Sequence, residues 1–338
     1  MATPLLSTVL AQPTAVETLR RALRNGRVHH AYLFDGPDGV GKERAAFGLA
    51  QSLLCERREE GSSDACGVCS ACARVSVLSG KALPSHPDLV LLERGLYAPV
   101  QIGRRTDELQ DLSIDQVRTL VLARSAFGPH EGRAKVFILR RAEELSVQAA
   151  NALLKTLEEP GRGVHFILLS SRADSLLPTV RSRTQKVRFA ALPEAVVARL
   201  LTVSGVDPDQ ASSVAKLSRG SMALATSLSD PDESAARDAF AARALAALSA
   251  GDLGPALELA EEAKKTKDSL ETRLQAFAAH LADAAVSAAR SGAEGSEATA
   301  ERDAYRYPFV LAAIAELEGN ASAQLVVESM LARMRGVR

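Results

Sequence analysis

The sequence lacks tryptophan and has few other aromatic residues, four tyrosines and nine phenylalanines in 338 residues. It also lacks net charge, because 41 basic residues balance 41 acidic ones. No global field therefore favours nucleic acid, and any such contact must be local. A run of about 18 apolar residues is absent too, so no membrane-spanning helix is expected. The remaining composition is that of a globular chain long enough for two or three domains.

Two further absences concern the cellular compartment. Met1 to Gln12 lack a basic segment ahead of a long apolar stretch, so no signal peptide is expected. Outside residues 55–72 the sequence has no cysteine. In a reducing compartment such clustering indicates a metal site rather than disulfides. The sequence predicts a cytoplasmic protein.

The four cysteines follow the spacing C-x₁₀-C-x₂-C-x₂-C. Thiolates separated by two residues on a tight turn can converge on one Zn²⁺ at about 2.3 Å, and four of them close a tetrahedral site. Gly67 and the small Ser70 and Ala71 suit such turns. We predict a structural zinc module at about residues 55–72, because no coordination position is left for chemistry. Its ligands are Cys55, Cys66, Cys69 and Cys72.

Five short apolar runs separated by helical patterns predict an α/β domain over residues 1–190. The runs are continuous rather than alternating, as expected for parallel strands buried on both faces. The order strand, phosphate loop, helix is typical of a doubly wound sheet with ligand at its carboxyl edge. The predicted strands are Ala31–Asp35, Asp88–Leu92, Lys135–Leu139, Val164–Leu169 and Gln185–Phe189.

After Phe189 only helices are predicted. Three short ones form a lid over residues 191–230, and Asp230-Pro231-Asp232 is the expected linker. Residues 233–338 are rich in alanine and leucine at helical spacing, which predicts an all-α C-terminal domain.

A phosphate loop follows the first predicted strand. Gly36, Gly39, Gly41 and Lys42 fit the motif G-x-x-x-x-G-K, whose backbone N–H groups cradle phosphates. The motif then requires a Ser or Thr hydroxyl for Mg²⁺, but this chain has Glu43. Lys42 and the loop amides remain, so ADP or ATP could dock weakly, without a Mg²⁺ site.

The third predicted strand ends in Arg140-Arg141, where a nucleotide hydrolase needs Asp and Glu. Arginine cannot act as a base, so we expect no hydrolysis by this chain. Two interpretations stay open: Arg140 substitutes for Mg²⁺ beside a phosphate, or both arginines pair with Glu43, Glu143, Glu144 or solvent.

These pieces resemble the δ′ family of the bacterial DNA polymerase III clamp loader, within the AAA+ superfamily, over about residues 8–230. The C-terminal part matches only loosely, through Asn320 to Arg333. The segments that carry the resemblance are 29–34, 85–88, 114–118, 151–160, the four-cysteine insertion and Arg181-Ser182-Arg183.

The resemblance implies a heteropentamer with γ/τ and δ subunits that opens a sliding clamp and loads it on primer-template DNA. The γ/τ subunits would hydrolyse ATP, and the helical domain at 233–338 would be the oligomerising collar. Arg183 matches the family's arginine finger, which acts on a neighbour's ATP, although Thr184 replaces the usual cysteine. Ser170-Ser171 match the sensor-1 pair, and Gly220–Ala223 lack the sensor-2 arginine of hydrolysing members.

Three other functions compete with this one. An active γ/τ-like ATPase would need Ser or Thr at position 43 and acidic residues at 140 and 141. A zinc-containing DNA-binding or repair protein with a vestigial ATPase domain would need a strong basic face, against which the zero net charge weighs. A small-molecule kinase fits least, because the Mg²⁺ ligands are missing.

Overall fold

The computed structural model describes residues 4–77, 82–102, 111–291, 296–318 and 321–336. They belong to two compact units, Met1–Ala225 and Thr226–Arg338. Asn320, where the looser part of the resemblance begins, lies outside the described residues. Within the described ranges, no helix has both the length and the apolar character needed to cross a bilayer.

A five-stranded, all-parallel sheet forms the centre of the first unit, in the order β2-β3-β4-β1-β5. The predicted sheet is confirmed, and each predicted strand agrees with the observed one to within one residue at either end. The strands are β1 (Ala31–Asp35), β2 (Leu89–Leu92), β3 (Lys135–Leu139), β4 (Val164–Ser170) and β5 (Gln185–Arg188).

Four of the strands are buried as their apolar sequences predict, and the fifth is not. The rings of Phe137 and Phe166 stack at 5.1 Å between β3 and β4. In β5, only Val187 is buried. The prediction that all five strands are covered on both faces is therefore wrong for β5. Among the described residues this strand pairs only with β1, at the sheet edge, so its polar side chains stay in solvent.

Helices cover the sheet and continue beyond it. Ser146 caps the helix after β3, because its hydroxyl accepts the N–H of Ala149 at 3.2 Å. A π-helical turn, Val117–Leu122, joins α4 to α5. The helices are α1 (Pro13–Arg24), α2 (Lys42–Leu54), α3 (Ser70–Arg74), α4 (Ile114–Gln116), α5 (Ala123–Ser125), α6 (Val147–Glu158), α7 (Pro178–Arg181), α8 (Glu194–Val203), α9 (Pro208–Leu217) and α10 (Met222–Ser229).

The second unit is helical throughout its described part. Buried side chains at helical spacing, such as Leu270, Leu274, Phe277 and Leu281, build its core. Its helices are α11 (Pro231–Ser249), α12 (Gly254–Lys265), α13 (Lys267–Ser291), α14 (Ser296–Glu318) and α15 (Ala323–Arg335).

The linker expected at residues 230–232 is wrong, because these residues begin α11. The Asp230 carboxylate accepts the N–H groups of Asp232 at 3.0 Å and of Glu233 at 3.3 Å. Pro231 occupies the first helical turn, where its missing N–H costs nothing. The buried Arg237 then donates to the carbonyls of Ser227 and Leu228 at the end of α10. Helix α11 therefore follows α10 after a single residue.

Candidate functional site

The carboxyl edge of the sheet brings together residues that follow four neighbouring strands. The strands end at one level, since Leu92 pairs with Leu139. At the other side of β4, Asp35 of β1 pairs with Ser170. This edge of a parallel sheet is where doubly wound folds bind ligands. In the order β2, β3, β4, β1, the residues that follow are Glu93, Arg140, Ser171 and Gly36.

The phosphate loop has the backbone that its glycines allow. Gly39 has a φ of 78° and Gly41 a φ of 103°, both in the left-handed region that favours glycine. A Cβ on Gly39 would lie 2.3 Å from the backbone nitrogen of Ala223. The loop and the start of α10 therefore touch, and only glycine permits this approach.

Lys42 begins α2 and turns its side chain back onto the loop. Its Nζ donates to the carbonyl of Pro37 at 2.7 Å and to the carbonyl of Gly36, and it lies 3.4 Å from Asp38 Oδ1. The side chain is buried, and this burial lowers the pKa of Lys42 although the Asp38 carboxylate opposes the shift. The three donors of the ammonium group are thus directed to protein oxygens.

Arg140 bridges two carboxylates. Its Nη2 pairs with Glu43, in the first turn of α2, and its Nη1 lies 2.6 Å from Glu93 Oε2. The Arg140 side chain is 11% exposed. Burial opposes its charge, but Glu93 and Glu43 outweigh burial and raise the pKa of Arg140. Of the two interpretations left open by the sequence, ion pairing with carboxylates describes Arg140, with Glu93 as an additional partner.

Arg141 lies outside this bridge. Its side chain is 60% exposed, and its Nη1 is 3.3 Å from Glu144 Oε1. Arg94 Nε approaches the second oxygen of the same carboxylate, also at 3.3 Å. The position at which a hydrolase needs a water-orienting glutamate therefore carries a largely solvated cation.

The polar residues after β4 are tied to Glu143. The Ser171 hydroxyl and backbone N–H both donate to Glu143 Oε1, at 2.9 and 3.2 Å. Ser170, its neighbour, is buried, and its Oγ accepts the N–H of Arg172 at 3.1 Å. Both hydroxyls of the predicted sensor-1 pair thus have partners within the chain.

The start of α10 closes another side of the cleft. Ser221 Oγ donates to the Asp38 carbonyl of the phosphate loop at 2.7 Å. Ala223 lines the cleft, and α10 has the sequence MALATSLS, without a basic residue. This helix therefore brings no guanidinium to the phosphate loop.

The cleft has a volume of about 670 Å³, which suits a small ligand. Five cationic and four anionic side chains line it, so its charge is nearly balanced internally. An anion would have to compete with carboxylates already in place. The charged lining residues are Lys42, Arg44, Arg94, Arg140, Arg141, Asp38, Glu43, Glu93 and Glu143.

Arg183 lies after α7, away from this cleft's lining. Its side chain is 32% exposed and pairs with Glu158, with Nε 2.6 Å from Glu158 Oε1. Its Nη1 donates to the carbonyl of Thr179 at 2.9 Å. Thr184, where the family has cysteine, uses its hydroxyl to bond carbonyls of α7. The Arg183 guanidinium is thus partly exposed to solvent and fixed by hydrogen bonds to Glu158 and Thr179.

The structure brings the four predicted cysteine ligands into one cluster. All four sulfur atoms lie within 4.8 Å of one another, so the group could hold a metal ion. Two Sγ–Sγ pairs, Cys55 with Cys69 and Cys66 with Cys72, are both 3.9 Å apart. That separation is too long for a disulfide bond of about 2.05 Å.

Backbone amides surround the sulfur atoms. Cys66 N–H donates to Cys55 Sγ, and Cys69 N–H donates to Cys66 Sγ, each at 3.3 Å. The N–H of Val68 is the main cause that lowers the pKa of Cys66 to about 6. Burial raises the pKa values of Cys55 and Cys72. The turns therefore favour a thiolate at Cys66, whereas the buried thiols need a cation to ionise.

Three carboxylates of these sites were missed from the sequence: Glu93, Glu143 as the partner of Ser171, and Glu158. Glu93 could have been found, because it directly follows a predicted strand. Its pairing with Arg140 required knowledge that β2 lies beside β3. Glu158 lies 25 positions from Arg183, and no sequence pattern connects them.

Comparison with known proteins identifies a family and individual relatives. Residues 11–193 match the family model described as "DNA polymerase III, delta subunit". DNA polymerase III subunit gamma/tau of Mycobacterium tuberculosis is 34% identical over 207 residues, 60% of this chain and 32% of the relative. DNA polymerase III subunit delta′ of Bacillus subtilis is 33% identical over 223 residues, 66% of this chain and 60% of the relative. The chain therefore spans a third to three fifths of these relatives' lengths.

A crystal structure of a DNA polymerase III gamma subunit-related protein from Thermotoga maritima shares the fold. It aligns with a TM-score of 0.50 at 18% identity, covering 95% of this chain and 98% of that one. The predicted fold, a parallel α/β sheet followed by helices, is confirmed. Since the matching family model spans more than half of the sequence, the chain belongs to the DNA polymerase III delta-subunit family.

Proposed function

We propose that the chain is a non-hydrolysing, delta-prime-type subunit of a DNA polymerase III clamp loader. It would assemble with γ/τ and δ subunits into a heteropentamer that opens the sliding clamp and loads it on primer-template DNA. Family membership over residues 11–193 and relatives named delta′ and gamma/tau support this role.

The bridge from Arg140 to Glu43 and Glu93 is the observation that carries the non-hydrolysing role. Phosphoryl transfer needs a metal ion between the phosphate oxygens and carboxylate or hydroxyl ligands of the protein. Here a guanidinium occupies the end of β3, and its pKa is raised, so it cannot take a proton from water. Glu43 also puts a carboxylate at the N-terminus of α2, where phosphate would bind.

Residual nucleotide binding would use the loop formed by Gly36, Gly39, Gly41 and Lys42. ADP or ATP would have to draw Lys42 away from the loop carbonyls and approach Glu43 without a metal ion between them. We therefore propose weak binding at most.

Arg183 is proposed to act as an arginine finger on ATP bound by a neighbouring γ/τ subunit. A guanidinium at such a position stabilises the charge that develops on the transferred phosphate. Its partial exposure at the end of α7 supports this role.

The four cysteines are proposed to hold one structural Zn²⁺. Sulfur atoms bonded tetrahedrally to zinc at about 2.3 Å lie about 3.8 Å apart. The two Sγ–Sγ distances of 3.9 Å agree with that geometry. A bound ion would also supply the positive charge that the buried Cys55 and Cys72 need to ionise.

The domain roles complete the proposal. Residues 1–190 would be the AAA+ α/β domain, 191–230 the lid and 233–338 the oligomerising collar. The second unit is helical in the part that the structure describes and has a core of its own, which supports the last assignment.

An active γ/τ-like ATPase is the alternative that the identity to gamma/tau favours. The test is ATPase activity of the isolated chain with ATP and Mg²⁺, beside the reconstituted complex carrying Arg183→Ala. We expect an inert isolated chain and a complex that loses about 10³-fold of its DNA-stimulated turnover. The exposed Arg162→Ala variant is the matched control and should be fully active. Hydrolysis by the isolated chain would replace this proposal with the ATPase one.

A further inference from the structure

Glu158 holds one edge of the Arg183 guanidinium. Arg183 Nε donates to Glu158 Oε1 at 2.6 Å, and Nη2 pairs with the same oxygen. Glu158 is the last residue of α6, whereas Arg183 follows α7. The contact therefore links the arginine to a helix other than the one that precedes it.

Local groups hold the opposite side of the same guanidinium. Nη1 donates to the carbonyl of Thr179 at 2.9 Å and to Ser182 Oγ at 3.2 Å. Both partners belong to the segment around α7, so alone they would let the guanidinium move with that segment. Glu158 adds a fixed point on α6 and thereby defines the plane of the group.

Glu158 can orient the Arg183 guanidinium without fully neutralising its positive charge. A guanidinium is a planar fork that binds a planar partner along its Nε/Nη2 edge or along its terminal Nη1/Nη2 end. Glu158 takes the first of these edges. The pair is also partly exposed, at 32% for Arg183 and 47% for Glu158, so the carboxylate screens the positive charge only in part.

Exposed ion pairs of this kind add little to the stability of a fold. The contact between Glu158 and Arg183 is therefore not required for the fold, which leaves it available for a role in positioning the arginine. Restricting a long, flexible side chain before its partner arrives removes an entropic cost from the later encounter.

We infer that Glu158 is a positioning residue, which orients Arg183 toward a phosphate group bound by a neighbouring subunit. This inference rests on the proposed trans role of Arg183. Because the orientation matters when the charge develops on the transferred phosphate, removing Glu158 lowers kcat and leaves the KM for ATP unchanged.

The experiment measures DNA-stimulated ATP hydrolysis by the reconstituted complex with Glu158→Ala, Glu158→Gln or Arg183→Ala. Glu158→Ala should reduce kcat by about 3- to 10-fold, less than Arg183→Ala. Glu158→Gln should recover part of the loss, because its amide oxygen still accepts a hydrogen bond. The matched control is Glu159→Ala, which removes the adjacent exposed carboxylate and should keep wild-type kcat.

A double variant, Glu158→Ala with Arg183→Ala, tests whether the two residues act as one unit. It should be no slower than Arg183→Ala alone, since Glu158 acts only through the arginine. Additive losses would overturn the inference, as would a lower melting temperature for Glu158→Ala than for Glu159→Ala.

The outcomes also distinguish a failure of the positioning role of Glu158 from a failure of the proposed role of Arg183. If Arg183→Ala is slow and Glu158→Ala has wild-type kcat, positioning is wrong and the arginine finger stands. Faster turnover by Glu158→Ala would make the carboxylate a restraint, which also overturns positioning. Wild-type turnover by Arg183→Ala would remove the trans role itself, and the inference with it.

Discussion

At the scale of residues, Arg140 forms an internal ion-pair network at the carboxyl edge of the sheet. A Mg²⁺ ion accepts oxygen ligands from protein, water and phosphate at once. A guanidinium also attracts carboxylates, but its five N–H groups are fixed in one plane and cannot activate water. The bridge to Glu43 and Glu93 therefore joins the start of α2 to the ends of β2 and β3.

The first prediction concerns that bridge. Arg140→Met keeps the buried side-chain stem but leaves Glu43 and Glu93 without their cation. We expect the free energy of unfolding to fall by about 1–2 kcal/mol, because both carboxylates keep access to solvent and the loss is smaller than for a fully buried pair. Urea unfolding monitored by circular dichroism measures it.

The exposed neighbour provides the control for this prediction. Arg141→Met removes a cation that is largely in solvent, so the change should stay within about 0.5 kcal/mol. Equal losses for the two variants would mean that the bridge adds no stability of its own.

The sequence predicts a site residue where a local motif specifies the residue type, and it does not predict contacts between residues far apart in the chain. Glu43, Arg140 and Arg141 were found because a motif specifies which residue types belong there. The sequence places Asp88 at the start of a strand and assigns its side chain no partner, yet its buried carboxylate accepts the N–H groups of His130, Glu131 and Gly132. That turn lies more than 40 positions away along the chain, so only the fold shows the contact.

At the scale of elements, the cysteine module is attached to α2 through a buried glutamine. Gln51 Nε2 donates to the carbonyl of Cys72 at 3.2 Å and to that of Val75 at 3.4 Å. Its Oε1 accepts the N–H of Leu5 at 3.0 Å. The Gln51 side chain therefore links α2, the end of α3 and the N-terminal segment. Disorder in the cysteine module would remove hydrogen bonds that hold α2 in place.

The second prediction follows from this attachment. Cys69→Ser removes one of four thiolates, so the purified chain should lose about one equivalent of zinc. The melting temperature should also fall, because an unligated module no longer supports α2. Metal analysis and differential scanning calorimetry measure the two effects.

A chelator applied to the wild-type chain is the control for Cys69→Ser. It should reproduce the lower melting temperature without any substitution. Zinc content that stays at its wild-type value in the variant would disprove the metal site.

Strands could be predicted from the sequence where a continuous apolar run reflects burial on both faces of the sheet. Strands β1 to β4 are mainly apolar, and their bounds follow from the sequence to within one residue. β5 was given the wrong environment because strand order cannot be read from a single sequence. The start of α11 was mistaken for a linker because Asp-Pro-Asp is both a turn signal and a good helix N-terminus.

At the scale of the whole molecule, two units with separate cores carry separate proposed tasks. The first contains the phosphate loop, the cysteine cluster and Arg183, and the family model matches within it. The second is entirely helical in its described part, and its longest helices are α13 and α14. Such a division predicts that assembly and site chemistry can be separated by truncation.

The third prediction is that a chain ending at Ser229 folds but does not join the complex. The sheet and its core lie wholly in the first unit, so circular dichroism should show a cooperative unfolding transition. Gel filtration with the partner subunits should show the truncated chain eluting alone. If the shortened chain assembles as well as the full one, the collar assignment is wrong.

The Arg140 bridge also does not depend on the cellular concentration of a free ion or ligand. A metal ion and its nucleotide are drawn from a cellular pool, so a site that uses them follows the levels of that pool. Arg140 is part of the polypeptide, so its concentration beside Glu43 and Glu93 is fixed once the chain has folded. The connection between α2 and the ends of β2 and β3 should therefore persist when ATP and magnesium are depleted and magnesium-dependent sites lose their ligands.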